Sequence, residues 1–70
     1  MKITEPSEMG IALRNRRKEM GYTQAFLSEF SGLSVSFISD AENGKNTVEL
    51  GKVLALANLL GLDFEVNGRG

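Results

Sequence analysis

The chain has 70 residues, a formal net charge of −1, and neither cysteine nor histidine. That length holds one domain with a limited core, a size that commonly needs a staple or a second subunit. Without cysteine or histidine there is no disulfide framework, no thiolate metal site and no histidine-based acid–base pair or triad.

Charge is unevenly spread. Residues 1–20 carry Lys2, Arg14, Arg16, Arg17 and Lys18 against Glu5, Glu8 and Glu19, whereas the rest carries Lys45, Lys52 and Arg69 against six acids. Affinity for a polyanion would have to come from a local basic face. The opening "MKITEPSEMG" lacks the apolar core of a signal peptide, and the apolar run at residues 53–60 is too short to span a bilayer. A cytoplasmic setting with no membrane association is expected.

After an arm at residues 1–5, Pro6 suits the first turn of a helix, where its missing N–H costs nothing. Met9, Leu13 and Met20 at helical spacing predict a helix over Pro6–Met20, stopped by Gly21. Thr23 is a good N-cap for a second helix over Gln24–Ser31, ended by Gly32. Ser34 caps a third that runs to Asn43, and Gly44 ends it. Phe37, Ile38 and Ala41 share its core-facing side, while Ser36, Ser39 and Asn43 lie opposite, flanked by Val35 and Asp40. Thr47 caps a fourth helix, Val48–Leu60, that is apolar on most sides. Finally "LDFEVN", residues 62–67, alternates at strand period, with Leu62, Phe64 and Val66 on one side.

The chain therefore reads as one all-α domain over residues 1–70 with a short C-terminal β-strand. Its second and third helices, residues 24–43, are joined by the glycine-containing turn "SGLS", the helix-turn-helix architecture. The strand has no partner at home. It is expected to pair antiparallel with its own copy across a two-fold axis, and Leu56, Leu59, Leu60, Leu62, Phe64 and Val66 are expected to form the homodimer contact.

The stretch "YTQAFLSEFSGLSVSFISDAENGK" resembles the lambda-repressor-like (Xre) helix-turn-helix family. The matching marks are Thr23-Gln24, Leu27, Gly32, Ser34, Ile38 and the run Glu42-Asn43-Gly44-Lys45. The resemblance covers roughly residues 9–62 and implies a four-to-five-helix domain that binds double-stranded operator DNA. It places Thr23, Gln24, Asn43 and Lys45 at phosphate-contacting positions, and Ser34, Val35, Ser36, Ser39 and Asp40 at base-facing ones. Arg17 and Glu42 match a structural ion pair tying the first helix to the end of the third. Asp40 would accept from the cytosine amino group, and Val35 would touch a thymine methyl.

Downstream, "TVELGKVLALANLLGL", the preceding "KITEP" and the terminal strand resemble HipB-like antitoxins. That resemblance implies an autorepressor of a toxin–antitoxin operon whose partner is a HipA-family serine/threonine kinase toxin. Phe26 and Phe30 stand where the family is usually polar: they either form an exposed patch for the toxin or pack under the first helix or the arm. Arg14, Arg16 and Lys18 are either a solvated face or phosphate contacts. The rival is a protein-interaction module with little or no DNA binding, of which Asp40 and the negative charge would be symptoms. An enzyme fits worst, since no phosphate-binding loop and no carboxylate pair at a recognisable spacing is present, and no cofactor or metal is expected.

Overall fold

The computed structural model describes all residues, 1–70. Four helices follow in order: α1 Pro6–Glu19, α2 Gln24–Ser31, α3 Val35–Glu42 and α4 Leu50–Leu59. The first three begin at residues suited to a helix start, α2 and α3 with a side-chain cap and α1 with a proline. Pro6 opens α1, and the Glu8 carboxylate accepts from both the backbone N–H and the hydroxyl of Thr4 at 2.7 Å each. Thr23 and Ser34 cap α2 and α3, their hydroxyl oxygens accepting from the N–H of Phe26 and of Phe37 at 3.0 Å. Arg16, Arg17 and Lys18 occupy the last turn of α1, where positive charge complements the helix dipole.

The fourth helix starts two residues later than its sequence suggests. Residues 46–48 form a turn closed by the N–H of Val48 on Lys45 O at 3.4 Å, so Thr47 caps nothing. Glu49 stands at the N-cap position with no side-chain capping bond.

Leu13, Leu27, Ile38, Ala41, Val53, Leu56, Ala57 and Leu60 form the core, one or more from each helix. In all, 11 of 70 residues are buried, a small core for holding four helices. α3 packs across α1 and α2. The α1–α3 crossing is close because Gly10 has no side chain: a Cβ there would lie 2.7 Å from Ala41 O and against Glu42 O. Gly44 meets the other end of α1. Its φ is +76°, and a Cβ would sit 2.7 Å from the Ser7 Cα, so this glycine both ends α3 and admits the start of α1. At the far end, Arg16 Nε donates to Leu60 O at 2.7 Å and so satisfies a terminal carbonyl of α4.

Two dimer expectations need correction. Leu56 and Leu60 are fully buried in their own chain's core and have no surface to offer a second subunit. Of that set, Leu59 and Phe64 are about two-fifths exposed, Val66 is fully exposed and Leu62 packs onto the core. Residues 62–67 form no strand in the single chain. The physical reason is plain: a strand is defined by its ladder, and no segment of the single chain is paired with this one in a ladder. No helix is long and apolar enough to cross a membrane.

Candidate nucleic-acid interface

α2 and α3 are joined by Gly32, Leu33 and Ser34. The turn is tied by Ser28 Oγ donating to Leu33 O at 2.6 Å and by the N–H of Leu33 donating to Ser31 Oγ at 3.1 Å. These local bonds fix the angle between the helices with no charged group. α3 turns Ile38, Ala41 and Glu42 inward. Ser34, Val35, Ser36 and Asn43 are exposed, with Ser39 and Asp40 half-buried beside them. The outward surface is therefore small and mostly uncharged, a shape a DNA groove can accept.

Its two charges are already matched. Lys45 Nζ lies 3.4 Å from Asp40 Oδ2, both side chains being about half exposed. Asn43 Nδ2 donates to Ser39 Oγ at 3.4 Å. Val35 and Ser36 project from the first turn of α3, and the Ser36 hydroxyl has no hydrogen-bond partner in the chain.

Beneath this surface Arg17 and Glu42 make a two-pronged pair: Nε to Oε2 at 2.7 Å and Nη2 to Oε1 at 2.9 Å. The remaining guanidinium nitrogen donates to Tyr22 O at 2.8 Å. Both residues are buried, and no buried side-chain polar atom lacks a partner. The hydrogen bond to Glu42 raises the Arg17 pKa further against the opposing effect of burial, so the guanidinium stays charged. Gln24, at the first position of α2, is drawn into the same cluster, its Nε2 donating to Glu42 Oε1 at 3.2 Å.

Phe26 and Phe30 do not pack under α1 or the arm. Both are about half exposed and stack at 6.1 Å between centroids, and Tyr22 lies 4.7 Å from Phe26. Together they form an aromatic row on the outside of α2.

Four contacts escape a reading of the residues alone: Arg16 on the end of α4, Gln24 on Glu42, the close approach at Gly44 and, last, the one at Gly10. Only the last had a visible signal, an isolated glycine inside a helical pattern.

A model of the helix-turn-helix family matches residues 13–67. The chain is 35% identical over 69 residues to an uncharacterized HTH-type transcriptional regulator, y4mF, from Sinorhizobium fredii (strain NBRC 101917 / NGR234), covering 99% of this chain and 91% of the relative. Solved structures share the fold at a TM-score of 0.87 in each case. One is a HipB–O4 20mer complex, 24% identical, covering 100% of this chain and 99% of that one. Another is a HipB variant with the O2 20mer, 26% identical, covering 100% and 97%. A third is a HipA–HipB–O2–O3 complex, 24% identical, covering 100% and 99%.

Proposed function

The chain belongs to the helix-turn-helix family, in its Xre-like group of transcriptional regulators, and from that premise we propose that it is a HipB-like antitoxin. It would repress its own operon as a cytoplasmic homodimer and bind a HipA-family serine/threonine kinase toxin. Family and fold are those of DNA-binding regulators rather than enzymes.

One observation carries the DNA-reading part: the outward face of α3 is stripped of bulk and of unmatched charge, while groups that suit phosphate flank it. Ser34, Val35, Ser36, Ser39 and Asp40 face the bases. Thr23 and Gln24 at the start of α2, with Asn43 and Lys45 beyond α3, take phosphates on either side. Lys45 exchanges its contact with Asp40 for a phosphate, which frees the carboxylate to accept from a cytosine amino group. So few cationic contacts imply modest affinity per subunit, raised when two linked subunits engage two half-sites. On this reading a chain of net charge −1 holds a polyanion through local contacts and a second subunit.

Dimerisation is assigned to residues 62–67. Pairing the segment with its own copy satisfies its free backbone groups and brings Phe64 and Val66 over Leu59. The toxin is assigned the aromatic row that includes Phe26 and Phe30, on the side of α2 away from the core. Support for a HipA-type partner is the shared fold with the HipB of the HipA–HipB–O2–O3 complex.

A reporter driven by the DNA upstream of the chain's own reading frame tests autorepression, and co-expression with the product of the adjacent frame tests the toxin. Repression, together with co-purification of a kinase, is the expected result. Repression without any kinase partner would remove the antitoxin role and leave a regulator. No repression, with or without the neighbour, would favour a protein-interaction module.

A further inference from the structure

Gln24 is a flexible side chain with three torsions, and fixing such a chain for one contact is costly in entropy. Here the fixing is done before any ligand arrives. Glu42 is itself immobilised by two hydrogen bonds from Arg17, and Arg17 by Tyr22 O. An ionised carboxylate only accepts, so the Gln24 amide can present only its nitrogen to it. That bond, 3.2 Å long, leaves one N–H and the carbonyl oxygen for the surface at the start of α2. The first turn of a helix already favours an anion through its free N–H groups and dipole.

We infer that Glu42 is a positioning residue for DNA binding: held by Arg17, it orients the Gln24 amide so that its second N–H is ready for a phosphate. The inference rests on the reading of Gln24 as a phosphate contact. It gives the buried ion pair a second task, since the pair that ties α1 to α3 also sets the donor at the start of α2. The Arg17–Glu42 cluster then touches the DNA through one intermediary and no charge of its own.

The test is a cycle of operator affinities. In the unaltered background, Gln24→Ala should weaken binding about tenfold, as for one hydrogen bond to a charged group. In a chain carrying Arg17→Met and Glu42→Met together, chosen to keep volume and remove the anchor, the same Gln24→Ala change should cost less than about threefold. An equal loss in both backgrounds overturns the inference. Side-chain amide relaxation of Gln24 by NMR, in the free full-length protein, gives a readout that survives poor folding of the double variant. An order parameter above about 0.6 is expected, and a value typical of a flexible side chain overturns the orienting role. Should the unaltered protein bind no promoter fragment, the DNA-binding reading falls, and the NMR result still decides whether Glu42 orients Gln24.

Discussion

Asp40 and Lys45 are partners at the end of α3, Oδ2 to Nζ at 3.4 Å, so the acidic group beside the outward face is offset by a neighbouring cation. As a half-exposed pair it adds little stability. Its weight falls on recognition. Asp40→Ala should relax base preference at one position, worth about 1–3 kcal/mol if a cytosine is read there. Nonspecific binding should hold or improve, because Lys45 is released and a repulsive charge is gone. Selection from a random-site library measures this; identical preferences for the two proteins would mean that Asp40 reads nothing.

Arg17 and Glu42 should behave as one unit in folding. Removing either partner strands a buried charge, at about 3–5 kcal/mol. Replacing both with methionine should come close to neutral, because the volume is kept and neither charge is left unpaired. Denaturant melts of the single and double variants check this. Additive single losses with no coupling would mean that the two side chains do not depend on each other.

Truncation after Gly61 should leave the monomer fold in place, since all eight core residues lie before that point and only Leu62 packs onto them from beyond it. Sedimentation should find a dimer for the full chain and a monomer for the truncated one, and operator affinity should fall far more than thermal stability. Leu59→Asp should act in the same direction, whereas Leu56→Ala should unfold the chain by about 2–5 kcal/mol through cavity formation without acting on the dimer specifically. A truncated chain that stays dimeric would remove residues 62–67 from the interface.

Glu8 titrates below the ordinary glutamate range, chiefly because it accepts the Thr4 hydroxyl and then the Thr4 N–H. A carboxyl whose folded pKa is depressed stabilises above its unfolded value and loses that contribution as pH falls through the folded one. The start of α1 should therefore loosen only on the acid side of a normal glutamate titration. Thr4→Val should move the Glu8 midpoint upward in an NMR titration. An unmoved midpoint would exclude the hydroxyl as the cause.

α2 and α3 were legible to the residue at their starts because Thr23 and Ser34 act within one turn of themselves. Thr47 offered the same signal for α4 and misled, since the turn at residues 46–48 uses that backbone first. A helix apolar on most sides reveals that it is covered but not by what. That pattern cannot separate a dimer contact from the chain's own core, and Leu56 and Leu60 belong to the core they share with Leu13, Leu27, Ile38 and Ala41. Arg16 and Leu60 are 44 positions apart, and Gln24 and Glu42 are 18 apart. No local pattern announces such contacts, because the fold alone brings those residues together. The alternation at residues 62–67 likewise gives a period and no partner, and the single chain forms no strand there.

The central claim is that two copies of α3 read a two-fold operator. Footprinting of the purified full-length protein on the DNA upstream of its own reading frame, repeated at rising salt, tests it most directly. The account predicts protection of an inverted repeat whose half-sites are about one helical turn, roughly 10 base pairs, apart. It also predicts that protection weakens steadily as salt rises, with a shallow slope that reflects few phosphate contacts. No protection at low salt, or protection with no dependence on the order of the bases, would contradict it.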